Sequence, residues 1–290
     1  MRFDIREAIT AQVISALERG FVPWHKPWRE FKHINAFTHK AYRGINPLLL
    51  ALESEKRGFH DTRWATFLQV SKNGGCVSAG SKSVHVVFWN WIVKPDSDNE
   101  EETKRFPMLR YYSLFNVEQT NLVENGKLPS FSDYSHTIEN ATDEVAEGVY
   151  ANMKNAPKVR LDTKAAYIPM LDEVIMPPMD SFDNSASYYA TLWHELVHST
   201  AHDTRVGRKS SFEKEGYAFE ELVAELGAMF VASGINYDIL VDNSISYIGE
   251  WLKALRDNKN YIIKASREAQ KAADYILGEN EKENINENEE

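Results

Sequence analysis

Apolar residues return with a helical period along much of the chain. Ile5, Ile9, Val13, Ala16 and Leu17 fall on one face of a helix over residues 4–19. Asp4 followed by Glu7 resembles a capping box, and Gly20 is a stop signal. Shorter helices are expected over 48–56 and 64–72, and longer ones over 139–155, 185–201 and 217–233. Ile245, Ile248, Trp251, Leu252 and Leu255 keep the same period, as do Ile262, Ala265, Ala269, Ala272, Ala273 and Ile276. Strand alternation replaces it over 83–93 and 108–117, with a further strand over 165–175. Gly74, Gly75 and Gly80 lack the Lys-Ser/Thr ending of a phosphate loop and are read as a hairpin.

Between 121 and 138, Asn, Gly, Pro, Ser and Asp accumulate and the periodicity lapses. The expected organisation is a mixed α+β front over 1–120 and a linker over 121–138. A mainly helical back with a short sheet follows over 139–278, then an acidic, disordered tail over 279–290. The fold class is α+β, in two domains.

Charge sharpens this division. The 290 residues carry a net charge of −10, a balance that argues against nucleic acid as a partner. Residues 1–95, however, hold 14 Lys/Arg against 7 Asp/Glu, a charge of +7, while the remainder carries −17. Trp24, Trp28, Trp64, Trp89 and Trp91 lie in the basic segment and only Trp193 and Trp251 beyond it. One cysteine, Cys76, excludes an intramolecular disulfide framework and directs any metal search to His and carboxylates. The absence of a long apolar run or a signal-like N-terminus gives the expectation of a cytoplasmic protein without a membrane span.

The strongest chemical signal is His194-Glu195-Leu196-Val197-His198, an H-E-x-x-H motif within a helical stretch. Four-residue spacing puts both imidazoles on one face, where they can chelate one Zn2+, and Glu195 is placed as general base. A catalytic zinc needs a third protein ligand from another element. The next helix offers Glu220, Glu221 and Glu225. We read Glu221 as ligand, Glu225 as the carboxylate orienting a ligand histidine, and Glu220 as facing away, with the register open by one residue. His202 competes as third ligand. On a continuous helix it would stand about 12 Å along the axis from His194, so it is read as a pocket or helix-end residue.

These motifs carry a family resemblance. Residues 167–178 (YIPMLDEVIMPP), 188–206 (YYATLWHELVHSTAHDTRV) and 217–230 (YAFEELVAELGAMF) resemble the zincin-type metallopeptidase domain of ArdC antirestriction proteins. The front resembles that family's N-terminal domain through PWHKPW (23–28), AYRGINPLLL (41–50), residues 63–89 and YYSLFNVEQT (111–120). One departure is Ala201 where members commonly have glycine, with Val206 for leucine. The resemblance implies a gluzincin-like site with Glu221 as third ligand, single-stranded DNA binding, and protection of incoming DNA from restriction endonucleases.

Independently, Lys and Arg neutralise phosphates and exposed rings stack on bases. Candidate cations are Lys26, Arg29, Arg43, Lys72, Lys82 and Arg110; candidate rings are Trp28, Trp64, Trp89, Trp91, Tyr111 and Tyr112. A tryptophan in a strand belongs to a core more often than to a surface. A protein or peptide is the expected substrate of the back. Two alternatives stay open: a non-enzymatic single-strand binder with a structural or vestigial metal site, and a DNA-recruited metallopeptidase toxin or effector.

Overall fold

A computed structural model of the chain describes residues 4–22, 32–95, 103–135, 142–208, 214–239 and 247–279. Helix α1 (Ile5–Glu18) opens under Asp4, whose side chain accepts the Arg6 N–H, and buries Ile9, Val13, Ala16 and Leu17. Strand β1 (Ile34–Asn35) leads to α2 (Asn46–Arg57), where proline in the first turn presets the backbone. Asn46 is buried and both donates to the Val87 carbonyl and accepts the Val87 N–H. Its amide thus pins α2 to the sheet as a strand residue would.

The helix expected over 64–72 is a strand followed by a helix. Strand β2 (Arg63–Thr66) ends where Thr66 and Gln69 form a capping box that starts α3 (Phe67–Lys72). The glycines after α3 make no strand hairpin. Gly74 and Gly80 have φ of +76° and +81° in a loop bridged through Val77 to Thr120. Strands β3 (Val84–Pro95) and β4 (Thr103–Asn116) then pair antiparallel along their whole described length, giving the sheet order β1-β2-β4-β3.

The start of the expected linker belongs to the front. Leu122 is fully buried beside Val70, Ala36 and Val117, and the Pro129 carbonyl accepts from Arg63. Short α4 (Phe131–Ser135) precedes α5 (Asp143–Asn152). The single strand expected over 165–175 is a hairpin, β6 (Ala166–Ile168) and β7 (Glu173–Met176), with β5 (Lys158–Leu161) parallel to β7 in the order β5-β7-β6. Pro169 cannot donate to a ladder, and Asp172 at φ +50° turns the chain.

Helices α6 (Ser185–Ser199), α7 (Lys214–Ile235), α8 (Ile248–Asp257) and α9 (Tyr261–Leu277) complete the back. The main core is shared by both halves: Ile9, Val13, Leu48, Leu49 and Val87 belong to one apolar cluster with Trp193, Met229, Trp251 and Ile262. Among the described residues no helix is long and apolar enough to cross a membrane. The acidic tail lies outside the described residues except Glu279.

Candidate metal centre

Asn184 caps α6 by accepting the Ser187 N–H, and Leu192, Trp193, Leu196 and Val197 bury one face of the helix. His194, Glu195 and His198 are thereby turned toward α7. At the α6–α7 crossing a Cβ on Gly227 would stand 2.6 Å from Val197 Cγ2, so glycine permits this approach.

The crossing brings His194, His198 and Glu221 together, with one ligand atom from each within 4.8 Å of the others. The two Nε2 atoms are 3.1 Å apart, His198 Nε2 is 3.4 Å from Glu221 Oε1, and His194 Nε2 is 3.6 Å from Glu221 Oε2. Tetrahedral ligation at 2.0–2.1 Å sets donors about 3.3 Å apart. Two imidazoles and a carboxylate at this spacing fit a divalent metal ion.

Glu220 departs from its expected role. It is 1% exposed, and its Oε1 lies 3.1 Å from His198 Nδ1. Accepting from Nδ1–H leaves Nε2 bare toward the other donors. Its counterion is Arg208, which donates to Glu220 Oε2 at 2.8 Å and Oε1 at 2.5 Å. The same guanidinium donates to the Val197 carbonyl at 2.7 Å and to Thr200 Oγ1 at 2.8 Å, closing the end of α6. No local pattern ties Arg208 to Glu220 twelve residues on, so nothing in the spacing turns Glu220 inward. Glu225, one turn beyond Glu221, is also buried, and its charge acts on His194.

The electrostatics follow. Burial alone would lower His198, but the Glu220 and Glu221 carboxylates outweigh it and hold the imidazole at about 9. Burial likewise opposes the raised pKa of His194, which Glu221 brings about. Glu221 is held well below the usual carboxylate range because its hydrogen bonds to both histidines overcome its burial. Tyr217 lies one turn before Glu221; burial and the Glu221 charge push its hydroxyl upward.

Glu195 accepts the Tyr167 N–H at 2.7 Å through Oε2, so an outer strand of the back sheet fixes its carboxylate. The next turn is held by Arg205, which donates to Asp172, to the Tyr167 hydroxyl at 3.3 Å and to the Ser199 carbonyl at 2.7 Å. His202 lies past α6 and accepts the Thr204 N–H, outside the ligand cluster. Arg205, Arg208, Tyr167 and Tyr217 went unread; only the H-E-x-x-H spacing advertises a site.

In the front the structure withdraws one expectation. Trp64 is 0% exposed and donates through Nε1 to His33 Nδ1, because alternation in β2 turns it into the core with Leu50 and Val86. Arg43 pairs with Asp274 and, at 2.7 Å, with Glu279. Lys72, Lys82, Arg110, Tyr111 and Tyr112 are exposed. Lys26, Trp28 and Arg29, and the side chains of Trp89 and Trp91, lie outside the described residues.

Two helices presenting His, His and Glu around a buried general-base candidate define a zincin-like metallopeptidase domain, and residues 144–268 match that family. Residues 3–115 match the N-terminal domain of anti-restriction factor ArdC. The metal-free structure of the antirestriction ArdC protein from plasmid R388 is 35% identical, with a TM-score of 0.78, covering 94% of this chain and 97% of that one. Its Mn(II)-bound structure is 32% identical, with a TM-score of 0.77, covering 95% and 98%. The chain belongs to the ArdC antirestriction family. Two DNA primases TraC of Escherichia coli are 30% and 29% identical across 96% of this chain, which spans only 20% and 27% of their length. The uncharacterized protein y4eC of Sinorhizobium fredii is 28% identical over 94% of this chain and 91% of its own.

Proposed function

We propose that the chain is an antirestriction protein that binds single-stranded DNA through its basic front and hydrolyses peptide bonds at a zinc centre in its back. The observation that carries the enzymatic part is the convergence of His194, His198 and Glu221 beside a buried Glu195 fixed by a backbone N–H. Zn2+ at such a site supplies a Lewis acid that polarises the scissile carbonyl and makes water more acidic. The Glu195 carboxylate takes a proton from the attacking water as the water oxygen bonds to the carbonyl carbon. It returns that proton to the departing amine nitrogen as the C–N bond breaks.

The test is Glu195→Gln. The variant should bind metal as the parent does and lose peptidase turnover by about 10²-fold or more. Unchanged turnover would sink the assignment. Scoring the same variant for protection of unmethylated incoming DNA separates the readings. Retained protection makes the front a sufficient blocker, and lost protection makes proteolysis part of antirestriction. Host toxicity dependent on Glu195 makes the protein an effector instead.

A further inference from the structure

With Trp64 buried and Arg43 paired with Asp274 and Glu279, exposed rings of the front remain on the ribbon of β3 and β4 and at the start of α3. These two strands contain Lys94, Lys104, Arg105 and Arg110 and no carboxylate, in a chain whose net charge is −10. Register divides their side chains between two faces. Val84, Val86 and Leu114 lie on one and close a core over Trp64. His85 opposite Ser113, and Val87 opposite Tyr111, lie on the other. On that second face Val87 packs into the main core, yet Tyr111 is 49% exposed.

The open part of the face carries a row of rings. Phe67, 62% exposed at the start of α3, meets Phe115 edge-on with centroids 6.4 Å apart. His85 meets Tyr111 at 5.0 Å. Phe115 and Tyr111 are four residues apart on one strand, about 14 Å at strand rise. Only the small Ser113 lies between them on β4. A soluble fold gains nothing by exposing rings in line, whereas unpaired bases stack on such a row without sequence preference.

We infer that this face of the β3–β4 ribbon, from Phe67 and Phe115 to His85 and Tyr111, is where a single DNA strand lies, its bases on the rings. The inference rests on the single-strand reading above and adds the place and mode of binding. A duplex keeps its base faces stacked internally and offers the rings nothing, so single strands are preferred.

The test measures binding of a fluorescent oligo-dT by the full chain and by Phe67→Ala, Tyr111→Ala and Arg110→Gln variants across a salt series. Each ring variant should lose about 5- to 100-fold in affinity with an unchanged salt slope. Arg110→Gln, on the opposite face of β4, should leave affinity and slope close to the parent's. Met170→Ala, 96% exposed on the back, is the control and should bind as the parent does. Equal metal binding by all variants certifies that they are folded. If the parent itself fails to bind oligo-dT, the single-strand reading of the front fails. If the parent binds and the Phe67→Ala/Tyr111→Ala double variant binds equally well, the ribbon site is overturned and the strand lies elsewhere. Duplex of the same length binding as tightly as oligo-dT would overturn the stacking mode.

Discussion

Glu220 determines which nitrogen of His198 is offered to a metal, and its burial with Arg208 makes the choice a firm one. The pH dependence follows. Without metal, the folded-state pKa of His198, about 9, exceeds its ordinary 6.5. The stability gained from the charged imidazole is therefore full below about 6.5 and is lost as pH rises through about 9. Metal needs the neutral ring, so affinity runs the other way and should climb from pH 6 to pH 9. Glu220→Gln should flatten that climb and weaken binding at pH 9.5 by about 10- to 100-fold. Titration with Zn2+ at several pH values checks both, and a pH-independent affinity in the parent would count against this account. The motif pair His194 and His198 was legible because its spacing is itself the chemistry. Glu220 and Glu221 are adjacent and chemically identical, so pattern could not decide between them; Arg208, arriving through a loop, decided it.

At the scale of elements, the site depends on how closely α6 and α7 cross. Val197 sits inside the H-E-x-x-H motif, and Gly227 receives it with no room for a methyl group. Val197 is β-branched and stiff at χ1, so Gly227→Ala must push the helices apart. The expected cost is about 1–3 kcal/mol of stability, together with weaker metal binding because Glu221 moves with α7. Adding Val197→Ala should restore much of both losses. Thermal unfolding and metal titration of the single and double variants check this, and a Gly227→Ala protein as stable and tight-binding as the parent refutes it. The long amphipathic helices were readable from their period alone. The stretches 63–72 and 165–176 were not, because each changes conformation within a few residues. In the first, a capping box at Thr66 interrupts an apolar run; in the second, Pro169 and Asp172 fold one apparent strand into two.

For the whole molecule, the charge asymmetry located two surfaces but not two cores. Surface charge follows the partners a face meets, while a core follows only burial, and here burial crosses the boundary. α1 lies against the α8–α9 corner: Thr10 donates to the Lys259 carbonyl, Lys259 pairs with Asp4 and Glu7, and Arg256 pairs with Glu18. Arg43 closes onto Asp274 and Glu279, and Gly44 donates to Gln270. A front expressed alone would expose Ile9, Val13 and Leu49, so the halves should unfold together. Metal then serves as the probe, because it binds only the back. At a concentration of 100 times Kd it stabilises the native state by about 2.7 kcal/mol. In a cooperative molecule that gain must also protect amides that never approach the site. Hydrogen exchange at Val13 in α1 should therefore slow on metal addition by the same factor as at Met229 in α7, wherever global unfolding governs exchange. Protection gained by Met229 and not by Val13 would mean that the basic front is a separate unit. The shared apolar cluster argues for the first outcome, since opening α1 uncovers the apolar surface on which the helices of the metal centre are packed.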